Sequence, residues 1–208
     1  MADGTETGKG SDRPDERTRD DEIERAWVGM KSTHDATVHL AEYDFGWPRR
    51  YERLAGLVRA ALGAQVRLLE NVGSTSVPGL IAKPRIDLVL AVPNSDDEDA
   101  YVPDLEAVGF RLKVREPDWF QHRNFGRDDE ETNLHVFTEG CSEISEMLLF
   151  RDWLRNNDDD RELYAATKRE LAARTWRYVQ HYADVKSAVV GEIKARAWAA
   201  TAEPAERP

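Results

Sequence analysis

Residues 65 to 92 read as a strand, a small-residue turn and a second strand, and that second strand is apolar throughout except for one acid, Asp87. No other segment restricts the fold as much. In Gln65–Val72, residues Val66, Leu68 and Val72 fall on one face at strand period. Gly73-Ser74-Thr75-Ser76 follows, where glycine permits positive φ and close backbone approach and three hydroxyls offer donors. Val77-Pro78-Gly79-Leu80 fits one short helical turn whose free N–H groups would face an anion. Arg85 to Val92 is nearly continuous in apolar character, the pattern of a strand covered on both faces, so the fold class read here is α/β with helices flanking the sheet.

Asp87 needs a reason to be there. Buried acids are uncommon unless they are paired or bound to a metal. Alternation puts Arg85, Asp87 and Val89 on one side of the strand, with guanidinium and carboxylate about 7 Å apart along the backbone. A structural ion pair at a strand end is one explanation. A ligand site is the preferred one, because the hydroxyl-rich turn lies one connection away and Lys83 stands between.

Around this unit the periodicities supply the other elements. Trp47, Tyr51, Leu54, Val58 and Leu62 make the apolar stripe of a helix with Pro48 near its first turn. Asp97 to Val108 reads as a helix that starts late because of Pro103, and 110–114 and 119–127 as strands. Arg123 and Arg127 on the latter are weighed as anion ligands against the commoner solvated position. In Thr132–Phe137, His135 shares a face with Asn133 and Phe137, which makes it a neighbour of Asp87 on a central sheet. It is either a hydrogen-bonded structural histidine or a ligand, acid–base group or phosphate donor. The last third reads as helices over 142–155, 160–174 and about 181–199, the second opened by the acids of Asp158-Asp159-Asp160. Adjacent Arg151 and Asp152 point about 100° apart and are not expected to pair; Arg151 is read as an anion contact or a structural bridge. Lys168 lies beside the stripe of Tyr164 and Leu171. It is a snorkelling surface residue or a phosphate contact, the latter gaining weight because the chain has 7 lysines against 22 arginines.

These residues resemble the GrpB family, also called UPF0157, over nearly the whole ordered chain. Val38 to Pro48 looks like its opening strand and turn, and Val72 to Asp87 like its signature block. Asn133-Leu134-His135-Val136-Phe137, Leu149 to Arg155 and Leu163 to Ala172 resemble further blocks in the same order. That family is similar in fold to the polymerase-β-like nucleotidyltransferases, in which a Gly-Ser turn holds nucleotide phosphates and an acidic pair on the next strand holds magnesium. The resemblance implies a mixed β-sheet nucleotidyltransferase-like core with flanking helices and a helical C-terminal extension. It places Gly73 and Ser74 on the phosphates; the enzyme reading built on it adds Thr75 to the triphosphate contacts and Lys83, Arg85, Arg151 and Lys168 as further phosphate-binding candidates. The resemblance also places Asp87 on magnesium (Mg2+) as catalytic residue and metal ligand, and in the enzyme reading His135 or Lys168 contacts the acceptor. Val89 occupies the second acidic position, and Asn71 stands where a histidine precedes the turn in many members. GrpB-like domains also occur fused to dephospho-coenzyme A kinase, which suits a binding or interaction role.

Composition bounds the remainder. Residues 1–30 lack apolar periodicity and read as a disordered tail, 31–140 as the core, and 141–200 as helices packed on it within the same domain. A single cysteine, Cys141, excludes an intrachain disulfide and fits a reducing cytoplasm. No run approaches membrane-spanning length. A net charge of −11 argues against sequence-independent nucleic-acid binding. The partners that the resemblance implies are a nucleoside triphosphate and a small-molecule acceptor, in a nucleotidyl transfer reaction. The alternative is a catalytically inactive nucleotide-binding or regulatory module with a protein partner.

Overall fold

The computed structural model describes residues 18–29 and 35–202. A five-stranded mixed sheet forms its centre. Strands β1 (Leu68–Val72), β2 (Ile86–Val92), β3 (Arg111–Glu116), β4 (His122–Gly126) and β5 (Thr132–Thr138) lie in the order β1-β2-β5-β4-β3. Only β2 and β5 run parallel; β1 pairs antiparallel with β2, and β4 with both β5 and β3. The apolar run of β2 is explained by its place inside this sheet, with strands on either side and helices over both faces.

Alternation divides β2 cleanly. Ile86, Leu88, Leu90 and Val92 meet the stripe of helix α2 (Trp47–Leu62), in which Leu54 and Val58 are fully buried, and Leu105 of helix α3 (Val102–Ala107). Truncating one of these side chains to alanine removes about 2–5 kcal/mol. On the other face Val89 and Ala91 pack with Val72, Phe137 and Ile144 of helix α4 (Ser142–Asn156). Helix α5 (Asp158–Ala172) and helix α6 (Val179–Ala202) complete the extension, where Leu154, Tyr164, Ala165 and Ile193 close over Val77, Leu80 and Ile81. Among the described residues no helix is long and apolar enough to cross a membrane.

Several local expectations are corrected. Residues 20–26, read as part of a tail, form helix α1 (Asp20–Ala26); Ile23 is buried and Glu24 accepts the Tyr178 hydroxyl proton at 2.7 Å. Residues 1–17 and 30 of that tail lie outside the described residues. The segment 38–48 holds no strand and touches its neighbours through an isolated Ala41–Ala82 bridge. The helical turn falls on Ser74–Ser76, three residues before the proline-containing tetrad read as helical, because the Ser76 and Val77 N–H groups close back on Gly73 and Ser74. The strand read over 119–127 starts only at His122, since residues 117–121 turn the β3–β4 hairpin and Phe120 and Gln121 take positive φ. Arg123, weighed as a solvated position or an anion ligand, is 4% exposed and satisfied by Asp96 and Glu98.

Candidate phosphate site around Asp87

The β1–β2 register sets Val72 opposite Asp87, so the chain leaving β1 passes directly over the carboxylate. Gly73 makes the passage at φ 72°. A Cβ there would stand 2.3 Å from Asp87 Oδ2, which no side chain tolerates. The turn is then fastened from within: the Ser76 hydroxyl donates to the Gly73 carbonyl at 2.6 Å and the Thr75 hydroxyl to the Arg85 carbonyl at 3.0 Å. Thr75, expected on a triphosphate, is therefore spent on tying the turn to the entry of β2. Ser74 is half-buried and is bound into neither of these contacts.

Across the parallel pair, Asn133 stands opposite Asp87 and donates from Nδ2 to Oδ1 at 2.8 Å. Burial raises the Asp87 pKa, opposed first by the positive field of Arg85, then by the Asn133 hydrogen bond, and by Lys186 and Lys83. Arg85 does not pair with Asp87. It leans away and donates to Glu131 from Nε at 2.9 Å, with Lys83 Nζ 3.8 Å from the same carboxylate. The Lys83 pKa is lowered by burial and by Arg85. Lys186, from α6, lies 4.6 Å from the centroid of the Tyr182 ring and 6.0 Å from that of Tyr164.

Lys168 is 2% exposed and donates to the Ile81 carbonyl, with the Tyr164 ring 4.8 Å away. Burial, then Lys186 and Arg169, bring its pKa down to about 7. Its ammonium fastens α5 to the segment before β2, so its part in the site is to hold that segment. Arg151 is a structural bridge. It donates to Glu70 at 2.8 Å and the Asn71 carbonyl at 2.9 Å, and, against expectation, to both oxygens of Asp152 at 2.7 and 3.0 Å. The long guanidinium folds back along the helix surface and overcomes the angle between the two Cα–Cβ bonds.

His135 lies on the Asp87 face, opposite Val89 on β2 and Asn124 on β4. Its Nδ1 is 3.1 Å from His122 Nε2 and 3.3 Å from Asn124 Nδ2, and His122 Nδ1 is 2.7 Å from Glu116. The two imidazoles stack with centroids 5.2 Å apart. Burial, with His122 next, pushes the His135 pKa down to about 3, so the ring is neutral near pH 7. Glu116, His122 and His135 thus form a hydrogen-bonded chain on the same sheet face as Asp87.

The donors around Asp87 do not fit a two-metal centre. Val89, in the second acidic position, is fully buried beneath Ile144. Asp128 and Asp129 are paired with Lys113 and Arg127, Glu130 with Arg50 and Arg53, and Glu131 with Arg85. Among the described residues no three His, Cys, Asp or Glu side chains come together as metal ligands. One carboxylate does fit a single magnesium ion whose remaining ligands are phosphate oxygens and water.

Asn133, Lys186, His122 and Glu116 were missed by sequence reasoning. Asn133 was within reach, since alternation already placed it on the His135 face. Lys186 carries a signal as well, four residues after Tyr182 in a chain poor in lysine. Nothing local pointed to the Glu116–His122 contact, which depends on the β3–β4 hairpin.

Comparison with known proteins follows this geometry. Residues 37–196 match the family described as GrpB protein. A UPF0157 protein of Halalkalibacterium halodurans is 54% identical over 178 residues, covering 86% of this chain and 91% of that protein. One from Streptomyces coelicolor is 44% identical over 163 residues, covering 78% and 86%. The crystal structure of the conserved protein GrpB from Enterococcus faecalis aligns with a TM-score of 0.70 at 26% identity, over 79% of this chain and all of that one.

Proposed function

The chain belongs to the GrpB family, and on that premise we propose that it binds the triphosphate of a nucleotide in the recess around Asp87 and acts as a nucleotide-binding module. One observation carries the reading. In a protein of net charge −11, Lys83, Arg85 and Lys186 bring their positive fields onto one carboxylate beneath a glycine turn. Three cations against two acids, Asp87 and the Glu131 that Arg85 and Lys83 also meet, leave a local excess of positive charge, which phosphate would offset.

In this reading the Gly73–Ser74 backbone and the Ser74 hydroxyl meet the phosphates, and Lys83 and Lys186 offset their charge. Arg85 does so while bound to Glu131. Asp87 would hold one magnesium ion, which neutralises phosphate charge when bound. Asn133 keeps the carboxylate oriented. Lys168 and Thr75 hold the two segments that frame the recess. The buried Val89 favours binding over two-metal transfer.

Nucleotidyl transfer to a small-molecule acceptor is the second reading. It is favoured by the Glu116–His122–His135 chain, which places a neutral, hydrogen-bonded imidazole on the Asp87 face where it would orient an acceptor; with its pKa held at about 3 the ring would not take the acceptor's proton. Calorimetric titration of ATP, GTP, CTP and UTP, with and without magnesium, tests the proposal. Magnesium-dependent binding lost in Asp87→Asn supports it, and absence of binding for every nucleotide rejects it. Release of pyrophosphate on adding candidate hydroxyl acceptors would favour the second reading.

A further inference from the structure

A cleft of about 680 Å³ opens at the free edge of β1 and reaches Ser76 and Pro78, just past the glycine turn, with Arg155 bonded to the Ser76 carbonyl at 2.9 Å. Tyr43, Pro48, Tyr51, Asn71 and Arg155 are among the residues that line it. Asn71 is on the α2 face of the sheet, since it is Val72 that pairs with Asp87 and Asn71 pairs with Leu88.

The strand edge inside this cleft is closed to another strand. Tyr51 donates its hydroxyl to the Leu69 carbonyl at 3.2 Å and Arg151 donates to the Asn71 carbonyl at 2.9 Å. Edge carbonyls occupied in this way offer nothing to β-augmentation. The Asn71 side chain is different: it is 9% exposed, and its Oδ1 is buried with no hydrogen-bond partner. Buried amide oxygens are nearly always paired, and an unpaired one beside a cleft marks a position where a ligand supplies the donor. A half-turn of the amide about Cβ–Cγ exchanges its oxygen and nitrogen, so either end can meet that ligand.

The charges at the cleft cancel. Arg151, Arg155 and Arg161 face Glu52, Glu70 and Asp158, and Arg151 and Arg161 are already paired with Glu70 and Asp158. A balanced lining favours an uncharged ligand over a phosphate. The tyrosine and proline wall suits a flat ring, and a guanidinium plane is a second surface on which a base can stack.

We propose that this cleft binds the adenine ring of an adenosine-type ligand. A rotation of the Asn71 side chain brings both amide atoms to the cleft, where they pair with the amino group and adjacent ring nitrogen, the bidentate arrangement by which asparagine reads adenine, and the ring lies against Tyr43 and Pro48. The two sites share the 73–78 turn but not their ligand groups: Asp87, Lys83 and Lys186 are not in the lining of the cleft, so adenosine and tripolyphosphate test them separately.

The test is calorimetric titration of the full chain with adenosine, uridine and inorganic tripolyphosphate, at low and high salt. Adenosine is expected to bind with little salt dependence, and uridine at least about tenfold more weakly. Asn71→Leu is expected to weaken adenosine at least about tenfold while melting no lower than wild type, because it removes an unpaired buried polar group. Tripolyphosphate binding is expected to be unchanged in that variant. Tyr43→Ala, at a half-buried position, is expected to weaken adenosine as well and keeps the test decisive should Asn71→Leu fail to fold. No adenosine binding to wild type at millimolar concentration would overturn the proposal, as would equal affinity in both variants or no preference over uridine.

Discussion

Gly73 and Asp87 are in contact through the place where a side chain would be: a Cβ on residue 73 would meet the Asp87 carboxylate oxygen at 2.3 Å and its Cβ at 2.9 Å. The positive φ of 72° adds a second reason for glycine. Gly73→Ala should therefore cost about 1–3 kcal/mol of stability from backbone strain alone and displace the turn from the carboxylate. Urea unfolding together with ATP titration checks both effects. Unchanged stability and affinity would mean that the turn can move without consequence.

Asp87→Asn separates a functional carboxylate from a structural one. Burial raises its pKa, so the folded state holds this proton more tightly than the unfolded chain does. Stability from this group is therefore full below the ordinary carboxylate range and falls as pH rises through the raised folded value. Removing the charge should leave the melting temperature at pH 7 equal to or above that of wild type, while magnesium-dependent nucleotide binding is lost. Melting curves at pH 5 and 8 read the linkage directly; a variant that melts well below wild type would identify Asp87 as an ion-pair partner.

Lys168 has the opposite linkage. With its pKa brought from 10.5 down to about 7, the unfolded chain binds more protons than the folded one between those values, so stability from this group rises with pH across that window. Wild type should gain stability relative to Lys168→Met between pH 7 and 10. Urea midpoints at three pH values across that range suffice. A constant difference would show that the ammonium stays charged.

His135, at about 3, should remain neutral from pH 8 down to 5. The unfolded imidazole titrates near 6.5, so this residue lowers stability as pH falls below 6.5 toward the folded value. Nitrogen-15 shifts of the imidazole are expected to stay flat over pH 5–8. His135→Gln should lessen the acid lability. Titration of the ring near pH 6 would contradict the burial that the site reading assumes.

Local patterns carried much of this molecule. The α2 stripe and the apolar β2 run predicted elements within a residue or two, and alternation alone put Asn133 and His135 on one face. Contacts made over long sequence distances were not legible. Asn133 reaches Asp87 across 46 residues and Arg151 reaches Glu70 across 81, and no local periodicity encodes either. Nor were the basic partners legible that each acid of 128–131 finds once the sheet forms. Segment 38–48, where the family resemblance implied a strand and turn, packs onto α5 and Ala82 without a strand partner.

The central claim is that cations around Asp87 receive phosphate. It is tested most directly by titrating inorganic tripolyphosphate into wild type, Lys83→Met and Lys186→Met at low and high salt. The account predicts saturable binding by wild type, weakened by added salt and at least about tenfold by each substitution. Absence of tripolyphosphate binding to the folded wild-type protein, or affinity indifferent to both lysines, would contradict it.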